Sequence, residues 1–185
     1  KESSAASDVY KRQELIQKVL TNEEKKPEII KGIDKIIDWL NHHDTYATFF
    51  VVGELLEYEP EILDKIIENG HEIGFHTMHH TRLDTLNFKE KFEEEIKIFD
   101  KITSGKSKGF RAPTFSLNES TNWLIDVLES NGYQYDSSIV PAKTSMYGLP
   151  NAEKRPYQIS SKSLEYEDPK AIITEFPIML SLIHI

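Results

Sequence analysis

The sequence contains no cysteine, which excludes disulfide bonds and thiolate chemistry. It also lacks an excess of basic residues, because 22 Lys and Arg stand against 31 Asp and Glu, and the net charge is −9 at pH 7. Nucleic-acid binding depends largely on Lys and Arg that displace counterions, so this balance argues against a nucleic-acid partner. No apolar run approaches the ~18 residues of a membrane span, and we expect none. A neutral or cationic ligand suits this charge better.

The 185 residues have the length of one domain. Both ends, 1-KESSAASDVYKRQ-13 and 180-LSLIHI-185, resemble translated sequencing-adapter tails, and we interpret residues 1–13 and 180–185 as non-native. On composition alone these ends could equally be a polar N-terminus without structure and an ordinary final strand. The fold is therefore predicted from residues 14–179.

Helical and strand periods alternate along this part of the chain. An apolar residue every three or four positions indicates amphipathic helices, whereas short β-branched and aromatic runs indicate strands, and 46-YATFFVV-52 has the composition of a strand buried on both faces. Such alternation predicts an α/β fold with a parallel sheet, either barrel-like or doubly wound. The predicted helices are 27–40, 60–70, 88–102 and 118–132, and the predicted strands are 46–52, 71–76, 109–112 and 133–139.

Four of the seven histidines lie within 71-HEIGFHTMHHTRLD-84. His76 ends a predicted strand, and reactive groups of α/β folds gather at the carboxyl ends of strands. The spacing of His76 and His80 would bring both rings to one side of a helical turn, where they could bind one metal ion. A solvated loop is the alternative interpretation. We expect a structural role for His71 and assign no site role to His79.

Four segments at strand ends resemble the polysaccharide deacetylases, the NodB-homology carbohydrate esterases. These segments are 47-ATFFVVG-53, 70-GHEIGFHTMHH-80, 109-GFRAPTFS-116 and 135-YDSSIVP-141, and the resemblance extends over residues 27–177. Residues 148–159 and 173–178 are similar to the branch found with bacterial exopolysaccharide export. The resemblance implies a distorted NodB-type (β/α) barrel over residues 14–179, incomplete at its first strand and its C-terminal part. It also implies hydrolytic, metal-dependent deacetylation of an N-acetylated polysaccharide.

The resemblance assigns a role to several residues of the histidine and arginine motifs. In 76-HTMHH-80, His76 and His80 match the family's ligands for a divalent metal, for which we expect zinc. Thr77 either fixes this loop by hydrogen bonding or is a surface hydroxyl. In 111-RAPTF-115, Arg111 occupies the place of the arginine that orients the catalytic Asp base, with a surface salt bridge as the alternative.

Three further residues are expected at the substrate. Pro113 and Phe115 would shape the groove wall, although Phe115 could equally belong to the core. Asp136 falls on the family's fourth motif, from which this sequence departs, because Ile139 and Val140 stand where many relatives have a second Asp followed by Trp.

Two motifs that the resemblance implies have no match in this sequence. Residues 14–27 contain no apolar run that ends in the paired Asp residues of the base and third ligand, and the simplest interpretation is a reading frame truncated upstream. The 182-LIHI-185 segment lies in a suspected tail and is not assigned as the catalytic-acid motif. We therefore expect half of a site and little activity. The alternatives are a non-catalytic carbohydrate-binding relative that lost the Asp pair, which the upstream nucleotide sequence would distinguish, and a structural metal module, which normally needs four ligands.

Overall fold

The protein is described here by a computed structural model, covering residues 26–144 and 146–178. The described residues do not include the suspected tails at 1–13 and 180–185. They also do not include residues 14–25, the segment in which the sequence shows no Asp pair. The helices are α1 (Lys26–His42), α2 (Gly53–Tyr58), α3 (Glu61–Glu68), α4 (Phe88–Ile102) and α5 (Trp123–Ser130), and the strands are β1 (Thr48–Val51), β2 (Glu72–Phe75), β3 (Gly109–Phe110), β4 (Tyr135–Asp136), β5 (Tyr157–Ile159) and β6 (Ile173–Glu175).

The described residues divide into two compact units, 26–49 with 54–72, and 50–53 with 73–144 and 146–178. In the first unit, α1 contacts α3, and Lys65 donates a hydrogen bond of 2.7 Å to Asp34. His71 is buried in this unit, where its ring lies 5.5 Å from that of Phe49 and 6.3 Å from that of Tyr46, measured between centroids. The expected structural role of His71 agrees with this packing.

The sheet has the strand order β1-β2-β3-β4-β6-β5. The pairs β2–β3, β3–β4 and β4–β6 are parallel, and β5 pairs antiparallel to β6. The parallel α/β sheet expected from the alternating periods is therefore confirmed. Because parallel neighbours place their carboxyl ends at one edge of a sheet, the loops after β2, β3, β4 and β6 converge there.

Aromatic residues form the centre of the second unit. Phe75 of β2 and Phe110 of β3 pack against Phe92 and Phe99 of α4, and all four are 0% exposed. The rings of Phe75 and Phe99 lie 4.5 Å apart, and those of Phe92 and Phe110 lie 5.2 Å apart. Each such burial contributes roughly 1.5–3 kcal/mol, so this cluster holds the strands that carry the site.

Some predicted elements differ from the observed ones. The 46–52 run is not buried on both faces, because only Val51 of the four residues of β1 is buried. Among the described strands, β1 lies at the edge of the sheet. The helix predicted over 118–132 begins later, since Asn118 accepts a hydrogen bond from Ser120 N and caps a separate 3₁₀ turn at Glu119–Thr121. Helix α2 and strands β5 and β6 were not predicted. None of the described helices has the length and hydrophobicity needed to cross a membrane.

Candidate active site

Four residues leave neighbouring strands at one edge of the sheet of the second unit. His76 follows β2, Arg111 follows β3, Ser137 follows β4 and Phe176 follows β6. The backbone N–H of each of these four residues donates a hydrogen bond to a carbonyl of a neighbouring strand. These bonds fix the position of each Cα atom. The bonds are His76 to Val51 (3.1 Å), Arg111 to Phe75 (3.0 Å), Ser137 to Phe110 (2.9 Å) and Phe176 to Asp136 (2.8 Å).

The imidazoles of His76 and His80 lie edge to face, with ring centroids 4.9 Å apart and planes inclined at 65°. His76 Nδ1 lies 2.6 Å from the carbonyl oxygen of Arg111 and donates to it. The tautomer is thereby fixed, and the lone pair of His76 is on Nε2, the atom available to a metal. Burial lowers the pKa of His76 to about 4 and also lowers the pKa of His80, so both rings are neutral at pH 7.

The loop between these histidines is not the helical turn that their spacing suggested. Thr77 and His80 have φ values of 61° and 55°, in the left-handed region. Thr77 is fully buried, its Oγ1 accepts a hydrogen bond of 3.0 Å from Thr81 N, and its carbonyl accepts one of 3.0 Å from Gly53 N. The expected hydrogen-bonding role of Thr77 is confirmed, and two left-handed residues, rather than helical periodicity, bring the rings together.

Glu95 of α4 is hydrogen-bonded to the backbone of this loop. Its side chain is buried, and Oε2 accepts a hydrogen bond of 3.0 Å from Met78 N, in the middle of the histidine loop. Lys91 Nζ lies 3.6 Å from the other carboxylate oxygen, which provides partial charge compensation. Sequence reasoning missed Glu95, because three consecutive glutamates at 93–95 look like a solvated helix face.

Arg111 is half-buried and is held by the loop after β4. Its Nε donates to the Ser137 carbonyl at 2.9 Å and its Nη2 donates to Ser137 Oγ at 2.7 Å, while its Cζ lies 4.2 Å from the Phe50 ring centroid. Within residues 26–144 and 146–178, no carboxylate lies within 4.0 Å of its guanidinium, so the surface salt bridge considered above is not found. The guanidinium is oriented but has no direct acidic partner there.

The three residues expected at the substrate differ in exposure. Phe115 is half-buried, and its ring lies 5.4 Å from that of Tyr147. Pro113 is buried at the start of a 3₁₀ turn, Pro113–Phe115. Asp136 is 0% exposed and lies in β4, an inner strand between β3 and β6. Direct contact with a sugar therefore does not fit Asp136, whose carboxyl acts on neighbouring protein groups.

The two histidines fit half of a zinc site in their donor chemistry. Neutral imidazole nitrogens are ordinary zinc ligands, and the hydrogen bond from His76 Nδ1 is the usual way in which a ligating ring is oriented. In the part of the chain that the structure describes, no group of three or more His, Asp and Glu side chains is placed to hold a metal.

A family model described as "Polysaccharide deacetylase" matches residues 30–135. This match spans more than half of the chain, so the chain belongs to the polysaccharide deacetylase family. The matched region includes both histidines and Arg111, and ends at Tyr135, the residue before Asp136.

Individual relatives agree with this assignment. The chain is 30% identical over 118 residues to a peptidoglycan-N-acetylglucosamine deacetylase of Bacillus cereus, and 36% identical over 96 residues to a chitooligosaccharide deacetylase of a Bradyrhizobium species. The two alignments cover 56% and 52% of this chain but 43% of each relative, so the chain spans less than half of their length.

Solved structures show the same fold. A family 4 carbohydrate esterase from Streptomyces lividans, in complex with acetate, has a TM-score of 0.50 at 19% identity and covers 57% of this chain and 54% of its own. A PuuE allantoinase has a TM-score of 0.58 at 18% identity and covers 80% of this chain and 44% of its own. The NodB-type α/β fold expected from the sequence is confirmed, in partial form.

Proposed function

We propose that this chain carries part of the active site of a metal-dependent hydrolase that removes acetyl groups from an N-acetylated polysaccharide. The observation that supports this most strongly is the adjacent pair His76 and His80 at the carboxyl ends of parallel strands, with His76 oriented by the carbonyl of Arg111. Because the chain belongs to the polysaccharide deacetylase family, amide hydrolysis is the reaction that such a pair serves.

Hydrolysis of an N-acetyl group needs an activated water, a polarised carbonyl and a proton for the departing amine. A divalent metal, for which zinc is our proposal, supplies the first two when bound. His76 and His80 would hold it through neutral nitrogens. Arg111 would keep a carboxylate base ionised and oriented, with Ser137 and Phe50 fixing the direction of the guanidinium.

The substrate proposed is a polymer that contains N-acetylglucosamine. Support comes from the names of the relatives, which include peptidoglycan-N-acetylglucosamine and chitooligosaccharide deacetylases. The aromatic pair of Phe115 and Tyr147 offers a surface of the kind on which sugar rings pack. The charge of −9 also suits a product whose freed amines are cationic.

The described residues supply neither the base nor the third metal ligand of such a site. We propose that an Asp pair in sequence upstream of residue 14 provides both, as the family resemblance implies. The alternative, a carbohydrate-binding relative without catalysis, requires that the gene encode no such pair.

The test is acetate release from an N-acetylglucosamine polymer with added zinc, for matched amounts of this chain and of a form extended upstream through a strand that ends in Asp-Asp. We expect activity in the extended form and little in the short one. Arg111→Ala in the extended form should lower turnover by about 10²-fold or more, whereas Arg155→Ala, an exposed arginine, should not. Equal release from both lengths would show that our account of the base is wrong. Polymer binding without acetate release from either form would favour the binding relative.

A further inference from the structure

Two buried carboxyl groups lie on neighbouring strands close to Arg111. Asp136 of β4 and Glu175 of β6 are directly paired in the parallel register of these strands, and both side chains are 0% exposed. Glu175 has no role in the site described so far. Its sequence signal is an acid inside the otherwise apolar run 173-ITEFPI-178.

Only one oxygen of each carboxyl group has a donor. Ser138 Oγ donates to Asp136 Oδ1 at 2.6 Å, and Ile139 N donates to Glu175 Oε1 at 2.9 Å. Asp136 Oδ2 and Glu175 Oε2 are buried and receive no hydrogen bond from any donor group of the described residues. Two carboxylate oxygens attract one another only when a proton lies between them.

The charge around the pair favours the same arrangement. Two buried carboxylates would place two negative charges beside one cation, Arg111, whereas a pair with one proton balances that cation. Burial raises the pKa of both acids, and the negative charge of Asp136 raises that of Glu175 further. The other nearby side chains, Tyr135 and Tyr157, are phenols, which carry no positive charge and so add no second cation.

We infer that Glu175 is a positioning residue, which shares one proton with Asp136 and thereby fixes the loop that orients Arg111. The link is continuous: Ser138 Oγ donates to Asp136 and accepts from Ala112 N at 2.8 Å, directly after Arg111. Ser137, which lies between Asp136 and Ser138 in the chain, accepts from the guanidinium and donates to the Phe176 carbonyl at 2.8 Å. The catalytic value of orienting Arg111 rests on the proposed function. The inference that Glu175 and Asp136 share a proton does not depend on that function.

The shared proton has a pH signature of defined sign. The folded-state pKa of Glu175 lies well above its unfolded value, so the folded chain holds a proton that the unfolded chain releases. The resulting stabilisation is present below the ordinary glutamate pKa and is lost as the pH rises through the folded value. Glu175→Gln retains one N–H donor toward Asp136 and should remove this part of the pH dependence.

The experiment is ¹³C NMR of the side-chain carboxyl carbons during a pH titration of the chain, together with the Nε–H signal of Arg111. We expect the Glu175 carbon to titrate well above the exposed glutamates, and the Arg111 signal to move with the same midpoint. That midpoint should disappear in Glu175→Gln and persist in Glu167→Gln, an exposed control.

If the Glu175 carbon titrates at the same pH as the exposed glutamates, the inference of a shared proton is wrong. An Arg111 signal that does not follow the carboxyl titration would overturn the positioning role. Wild-type spectra decide both points even if a variant does not fold. Neither readout needs deacetylase activity, so a failure here is distinguishable from a failure of the proposed function.

Discussion

His76 takes its orientation from a backbone carbonyl, and the loop that carries it takes its shape from buried side chains. The motif letters suffice to select His76, His80 and Arg111 from the sequence, because their types and spacing carry the chemistry. Glu95 and Glu175 could not be selected in this way. An acid in a charged helix and an acid in a strand differ from ordinary surface acids only through burial, which follows from the tertiary fold.

Replacement of Glu95 tests the support of the histidine loop. Glu95→Ala leaves the buried N–H of Met78 without its acceptor, and we expect a loss of about 1–3 kcal/mol in the free energy of unfolding. Glu94→Ala, at an exposed neighbouring position, should stay within about 0.5 kcal/mol. Chemical denaturation measures both. Equal losses in the two variants would mean that Glu95 stabilises only its helix.

For His71 we predict that a substitution maintains or raises the free energy of unfolding, in contrast to Glu95→Ala. Its ring is 5% exposed, and neither nitrogen has a hydrogen-bond partner among the described residues. Because unpaired buried nitrogens oppose folding, His71→Leu should match or exceed the wild-type stability by up to about 1 kcal/mol. Thermal and urea unfolding provide the measurement, with exposed His42→Leu as the control. A clear destabilisation would show that a ring nitrogen makes a necessary bond.

At the scale of elements, the edge position of β1 is the feature with the clearest physical consequence. In the sheet formed by residues 26–144 and 146–178, β1 is the terminal strand, and Tyr46, just before it, is 71% exposed. An edge strand with unpaired backbone groups and few charges favours pairing with another chain. The sequence suggested a strand buried on both faces, since an aromatic and β-branched run has the same composition at an edge as at the centre of a sheet.

We therefore predict that this chain self-associates as its concentration rises, in sedimentation velocity. Tyr46→Lys should reduce the association, because a charge beside an edge strand opposes pairing. Tyr166→Lys introduces the same charge at a position that is 57% exposed in a loop before β6, and should leave the association unchanged. A monomer at all concentrations would contradict the prediction.

For the whole molecule, the fold class was predictable and the strand order was not. Helix α4 follows a clear 3.6-residue period through Phe88, Phe92, Ile96 and Phe99, and its predicted range agrees with the structure. Strands β5 and β6 are three residues each, too short for a period to be recognised. Because β6 inserts between β4 and β5, the neighbour that brings Glu175 to Asp136 comes from about forty residues further along the chain.

The central claim is that the 76–80 loop is half of a metal centre, and zinc titration of this chain by calorimetry tests it most directly. We predict weak binding of one zinc ion. His76→Ala and His80→Ala should each weaken it by about tenfold or more, whereas His79→Ala, on the exposed side of the same loop, should not. With burial lowering the pKa of His76 to about 4, binding should persist at pH 6 and disappear toward pH 4. Zinc binding that survives both His76→Ala and His80→Ala, or that His79→Ala abolishes equally, would contradict the account.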